Sequence, residues 1–371
     1  MPDINETFPH KFCINLDRRP ERWEQMRAKF ERCGIKGVQR FAAVDGNHTI
    51  VPPNWTDSTG AYGCLRSHLE IIKEARRLDW PNVLIFEDDA ALDPELYEKF
   101  AFYFEQIPTD WEMLHFGANH MAAPVEVSAN VVKITSANST FAYALNRPVF
   151  DSFIELNTQA LTAVDLNNRK LQTEHACYCF RPHLAWVEDL DSDVQVRQKY
   201  HWYLKESLVL HGTGMDQILA KTTVVIADRS NSENLNFLKS FYEKYLPGIE
   251  VIVVKPDDAR NAELASRDRS FVIFTDSNVF VEEWDIRGNL RMCEQYDCTT
   301  GFKSLVNLTP DATHMLRTSK PSILTPWFNA NDYERSEKQE PFERFAVFKR
   351  TAVGAKELRV FASPNDALLM A

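Results

Sequence analysis

No run of eighteen apolar residues occurs anywhere in the 371-residue chain, so no segment reads as a membrane span. A basic excess is missing too. Acidic residues outnumber basic ones by 53 to 42, and a net charge of −11 argues against a nucleic-acid partner, whose footprint would be basic. A phosphorylated small molecule is not excluded, because it needs only a few placed cations or a metal. The opening Met1-Pro2-Asp3-Ile4-Asn5-Glu6 lacks the basic-then-apolar pattern of a signal peptide. Cysteines are few and unpaired in spacing: Cys13, Cys33, Cys64, Cys177, Cys179, Cys293 and Cys298 make an odd set of seven. Cys177-Tyr178-Cys179 is the one close pair, and no second pair or spaced histidines complete a zinc motif. These absences lead us to expect buried free thiols in a protein of the reducing cytoplasm, soluble or peripheral to a membrane.

What is present is α/β patterning in two parts. The length suits about two domains, each able to bury a core. The clearest signal is Val83-Leu84-Ile85-Phe86-Glu87-Asp88-Asp89-Ala90, a buried strand of a parallel sheet running into three carboxylates. Carboxylates packed this closely repel one another unless a cation sits among them. Open α/β sheets place their ligands at such strand ends, so a hard-metal site is expected there. The plainer alternative is a solvated acidic turn.

Upstream, Lys11-Phe12-Cys13-Ile14-Asn15-Leu16 reads as a strand, followed by the turn Asp17-Arg18-Arg19-Pro20-Glu21-Arg22. Pro20 suits a first helical turn, and Trp23, Met26, Phe30 and Cys33 recur at helical spacing up to Gly34. Such a turn can receive a phosphate or nucleotide. A second strand, Val38–Val44, ends in Asp45-Gly46, where a carboxylate can accept bonds from a ribose or base. Gly60-Ala61-Tyr62-Gly63-Cys64-Leu65-Arg66-Ser67-His68 opens a helix with Leu65, Leu69, Ile72 and Ala75 on one face. His68 beside that face reads as a packed core histidine more readily than as a ligand. Asp165, a lone carboxylate among apolar residues, suits a general base or equally the N-cap of the helix that follows. His211-Gly212-Thr213-Gly214 reads as linker, or else His211 folds back as a further metal ligand.

The pattern then restarts. Thr222–Ala227 with Asp228-Arg229 repeats strand and turn, and Phe271-Val272-Ile273-Phe274-Thr275-Asp276 repeats an apolar strand ending in a carboxylate. We therefore expect one domain over residues 1–205, a linker over 206–221, and a second domain of the same architecture over 222–371.

Taken together, four pieces of the first half resemble glycosyltransferase family 25, the lipopolysaccharide-biosynthesis and collagen-galactosylating group. They are Ile14–Arg22, Ala43–Gly46, Gly60–His68 and Phe86–Ala90. Thr140–Tyr143, Ala163–Asp165 and Asp191-Ser192-Asp193 follow in order behind them. The second half looks like the start of a family 2 glycosyltransferase, but Asp276-Ser277-Asn278 stands where an Asp-x-Asp is usual, which puts metal-dependent activity there in doubt. The resemblance implies two tandem GT-A (Rossmann-like) domains and inverting transfer of a hexose, galactose or glucose, from a UDP-sugar donor. The acceptor would be a hydroxyl of a glycan, lipid-linked saccharide or protein. It also implies that Asp88 and Asp89 hold Mn²⁺, or Mg²⁺ in its place. Asn15, Asp17, Arg18, Arg19, Arg22, Asp45, Glu87 and Asp88 would bind the donor nucleotide. Asp165, followed by Asp191 and Asp193, is the expected base. Rival readings are a nucleotidyltransferase or sugar-nucleotide hydrolase using the same acidic site, and a non-catalytic sugar-nucleotide-binding scaffold.

Overall fold

The computed structural model describes residues 1–159, 162–188, 202–228, 232–255, 269–277, 281, 283–295, 298–299, 306–308, 333–335 and 345–349. The chain divides into two compact units, Met1–Val209 and Leu210–Ala371.

In the first unit, a single turn α1 (Ile4–Thr7) leads to β1 (Lys11–Asn15), α2 (Pro20–Arg32), β2 (Val38–Ala42), α3 (Thr59–Arg77) and β3 (Asn82–Glu87). There follow β4 (Ala90–Leu92), α4 (Leu96–Phe104), β5 (Met113–His115), β6 (Asn119–His120), β7 (Val125–Glu126), β8 (Val131–Lys133), β9 (Ala137–Asn138) and β10 (Ala142–Asn146). Helices α5 (Phe150–Thr158) and α6 (Val164–Glu174), strands β11 (Cys177–Phe180) and β12 (Ala185–Val187), and the turn α7 (Trp202–Lys205) complete it. Eight strands form one sheet in the order β2-β1-β3-β10-β5-β11-β8-β7. β1 is parallel to β2 and to β3, whereas β10 is antiparallel to both β3 and β5.

The unbroken apolar run of β3 is explained by helices on both faces. Val83 and Ile85 join Ile71 and Ile72 of α3 in one core, while Phe86 faces the opposite side against Phe30 of α2. The period-two alternation then carries Glu87 to the α3 side and leaves Asp88 and Asp89 beyond the strand end. Gly34, at φ 66°, takes up the left-handed conformation that ends α2.

Three expectations need correction. The buried face of α2 is Arg22, Met26, Lys29 and Phe30, and Trp23 is only partly buried, so two cations displaced an apolar residue from the inner stripe. Asp165 is not an N-cap: α6 begins one residue earlier, with Ala163 at the cap position. Within the stretch read as linker, Thr213–Leu219 is α8, whose Met215 and Leu219 are buried.

The second unit adds β13 (Thr222–Ala227), α9 (Ser232–Tyr245), β14 (Glu250–Val254), β15 (Phe271–Asp276) and α10 (Glu283–Met292). The short strands β16 (Cys298–Thr299), β17 (Val306–Leu308), β18 (Tyr333–Arg335) and β19 (Phe345–Lys349) follow. Its sheet runs β14-β13-β15-β19-β16, with β13 parallel to β14 and β15, and β19 antiparallel to β15. The order β14-β13-β15-β19 repeats β2-β1-β3-β10 of the first unit in both sequence and direction. Leu238 and Phe241 of α9 pack with Val224, Ile226 and Ile273 in a separate core.

Candidate active site

The site is assembled by the turns that follow β1, β2 and β3 at one end of the sheet. Asn15, the last residue of β1, is buried and donates from Nδ2 to Oδ2 of Asp88 at 2.7 Å and to the Arg19 carbonyl at 2.9 Å. Its Oδ1 accepts from Arg40 Nε at 2.7 Å. Buried Arg22 pairs with Oδ1 of Asp88 at 3.3 Å. One asparagine and one arginine thus tie the first strand's turn to the acidic end of the third.

The helix α3 supplies the next layer. A Cβ at Gly63 would fall on the Val44 carbonyl oxygen, and one at Gly46 on the Thr59 carbonyl, so both positions need glycine for the turn after β2 to lie against the helix. Ser67 Oγ receives the Val44 N–H at 2.9 Å and donates to the Gly63 carbonyl at 2.8 Å. One residue on, His68 is fully buried between two partners. Its Nε2 lies 3.2 Å from Glu87 Oε1 and its Nδ1 lies 3.0 Å from the Tyr143 hydroxyl. Thr140 Oγ1 donates to the same Glu87 oxygen at 2.5 Å.

Three adjacent carboxylates therefore meet three different environments. Burial works to raise Glu87, but hydrogen bonds from His68 and Thr140 and the charge of His68 outweigh it, leaving its pKa below the usual value. Asp88 is raised by burial, against the opposing pull of Asn15 and Arg22. Asp89 is raised to about 7, first by burial and then by the charges of Glu87 and Asp88. Its Oδ1 is buried with no hydrogen-bond partner. Desolvation of an ionised carboxylate is costly, so burial favours the protonated form of Asp89 unless a positive charge takes the proton's place.

Asp165, in the first turn of α6, accepts from the Ser139 N–H at 3.4 Å and from the Leu166 N–H at 2.8 Å. Burial raises its pKa, and Glu87 adds to the rise, so it shares an electrostatic neighbourhood with the acidic strand end. Of the other residues singled out, Arg18 pairs with Asp45, whose second partner is His48 at 3.2 Å. Asp17 is exposed and pairs with Arg40 at 2.6 Å, and Arg19 lies 3.8 Å from Glu21. These form the rim, while Asn15, Arg22 and Glu87–Asp89 form the floor. His211 lies in the second unit with its ring 4.8 Å from that of Trp284. Asp191 and Asp193 lie outside the described residues.

Residues 8–166 match the family model "Glycosyltransferase family 25 (LPS biosynthesis protein)". Over these residues, less than half of the chain, the protein is similar to glycosyltransferase family 25. It is 31% identical over 134 residues to a glycosyltransferase 25 family member of Drosophila pseudoobscura pseudoobscura, covering 31% of this chain and 21% of that protein. Over 173 residues it is 27% identical to the procollagen lysyl hydroxylase and glycosyltransferase of Acanthamoeba polyphaga mimivirus, or 39% of this chain and 19% of that one. A human relative, inactive glycosyltransferase 25 family member 3, is 27% identical over 162 residues, 37% of this chain and 27% of its own. The chain thus spans about a fifth to a quarter of the length of these relatives.

Within this family 25 segment, reading the sequence alone overlooked how Cys64, His68 and Glu87 meet. Their donor atoms lie within 4.8 Å of one another. The i, i+4 spacing of Cys64 and His68 on a helix was a legible signal for part of that cluster. Lys29 was not legible: its Nζ bonds the Ala90 carbonyl at 2.9 Å and Glu188 Oε2 at 2.7 Å, a partner 159 residues away. Glu188 in turn donates its N–H to the Asp89 carbonyl at 2.8 Å, fastening the loop that carries the carboxylates.

Proposed function

We propose that the protein is an inverting hexosyltransferase that moves galactose or glucose from a UDP-sugar to a hydroxyl of a glycan, lipid-linked saccharide or protein. The observation that carries this reading is the buried, unpartnered Oδ1 of Asp89 beside Glu87 and Asp88, at the end of a parallel strand in a family 25 segment. The chemistry of these carboxylates suits a hard divalent ion, Mn²⁺ or Mg²⁺, because every atom they offer is an oxygen with lone pairs to spare. Asp88 keeps such capacity even with Asn15 and Arg22 engaged. A bound ion would neutralise charge developing on the diphosphate leaving group.

The chain's own groups do the remaining work. Asn15 and Arg22 hold Asp88 in one orientation, and Glu87 is held by His68 and Thr140. Arg18, Arg19 and Asp45 on the rim position the nucleotide. Asp165 takes the proton of the acceptor hydroxyl as it attacks the anomeric carbon from the face opposite the departing UDP. Its raised pKa brings it toward neutral pH, where a general base is most effective. The second unit repeats the strand order without the acidic triplet, and we read it as a tandem domain of the same architecture that does not carry this chemistry.

A donor screen for UDP release tests the reading, run with Mn²⁺, with Mg²⁺ and with chelator. Metal-dependent release that needs an acceptor supports it; release of pyrophosphate or sugar phosphate would replace it with a nucleotidyltransferase or hydrolase. Asp165→Asn should lower kcat by roughly 10²–10⁴ while UDP binding survives, since general-base help is of that size. Unchanged turnover in that variant removes Asp165 from the base role. Arg22 and Asn15 on Asp88 also suit a carboxylate neutralised from within, as a non-catalytic scaffold would have. UDP binding that is indifferent to metal in calorimetry would select that second reading.

A further inference from the structure

A second cluster of metal-binding side chains lies in the first unit, built from three segments that the acidic site does not use. His120 ends β6, Cys179 sits in β11, and His183 lies between β11 and β12. All three are buried, and one donor atom from each lies within 4.8 Å of the others. The tautomer of His183 follows from its contact: Nδ1 lies 2.8 Å from the Leu204 carbonyl, which can only accept, so Nδ1 carries the proton and Nε2 keeps its lone pair. A backbone carbonyl on the far nitrogen is the arrangement that orients a ligating histidine. His120 Nδ1 is buried with no hydrogen-bond partner, an unmet polar group that a ligand would satisfy.

The segments are held close by their own backbones. The N–H groups of Leu184 and Ala185 both reach the Phe116 carbonyl, at 2.7 and 3.1 Å, and a Cβ at Gly117 would strike the Ala185 carbonyl. The ligands are thus preorganised, which lowers the entropic cost of capturing an ion.

We propose that His120, Cys179 and His183 supply three ligands of a zinc site that pins the turn between β11 and β12. Two imidazoles and one thiolate suit zinc, whereas the all-oxygen acidic site suits a harder ion. On binding, the Cys179 thiol gives its proton to solvent and its sulfur lone pair forms the S–Zn bond, with no change in oxidation state. The pinned turn leads through β12 to Glu188, which holds the Asp89 carbonyl.

The test uses the untagged full-length protein, purified without chelator and analysed for metal. Zinc at a stoichiometric level is expected, retained in Asp89→Asn and reduced to traces in Cys179→Ser. Loss of an oriented outer partner already weakens sites 10–100-fold, so loss of the sulfur should exceed roughly a hundred-fold. If Cys179→Ser does not fold, cobalt substitution of the wild-type protein decides: a near-ultraviolet sulfur-to-cobalt charge-transfer band supports the site. Apo protein that takes up neither zinc nor cobalt, or zinc that remains in Cys179→Ser, overturns the proposal.

Discussion

Asp89 combines a buried, unpartnered oxygen with a pKa raised from 3.8 to about 7. A folded pKa above the unfolded one means that the native state binds the proton more tightly. The resulting destabilisation is absent below pH 3.8 and grows until the pH has passed about 7. We therefore expect the urea midpoint of metal-free protein to fall across that window. Saturating Mn²⁺ should restore it at the upper end, because an ion that binds only the native state adds stability by mass action. Asp89→Asn should flatten the pH dependence and abolish the Mn²⁺ effect. A pH profile identical to wild type would show that Asp89 is not the group titrating in that window.

The helix α3 is the element through which the motifs act on one another. Its glycine-rich start lets the turn after β2 approach, Ser67 fixes that turn, and His68 reaches β3. Gly63→Ala has no room to relax because the opposing atoms are backbone, so it should cost at or beyond the ~1–3 kcal/mol typical of overpacking, read from chemical denaturation. Tyr143→Phe removes the hydroxyl next to His68 Nδ1 and leaves a fully buried nitrogen unpaired. That should destabilise by about 1–3 kcal/mol and also free the imidazole to turn from Glu87, weakening any activity beyond the stability loss. Wild-type stability in Tyr143→Phe would remove this contact from the account of the site.

At the scale of the molecule, each unit buries its own core: Val83, Ile85 and Phe150 in one, Val224, Ile273 and Leu290 in the other. Residues 1–209 expressed alone should accordingly fold, with a single cooperative thermal transition and the donor binding of the whole chain. A molten fragment, with helical circular dichroism but no cooperative melt, would mean that the second unit completes the first. Repetition of the strand order in residues 210–371 without three carboxylates at β15 concentrates the expected chemistry in the first unit.

Local residues alone determined a good deal. The apolar run into Glu87-Asp88-Asp89, Pro20 at a helix start, and the apolar face of α3 are short-range patterns, and the elements form where those patterns lie. The four family 25 pieces were also readable, because each is contiguous. Only the tertiary structure decided how they share the work. Asn15 and Arg22 claim Asp88, His68 claims Glu87, and Asp89 Oδ1 is left without a hydrogen-bond partner; these outcomes depend on which atoms meet across 66 to 73 residues of chain for Asp88. The inward turn of Arg22 and Lys29 on α2 was illegible for the same reason, since periodicity assigns apolar residues to the inner face and cannot know that a carboxylate waits there. Cys179 and His183 stand four residues apart, but His120 lies in a distant segment, and only folding brings it onto them to make a candidate ligand set.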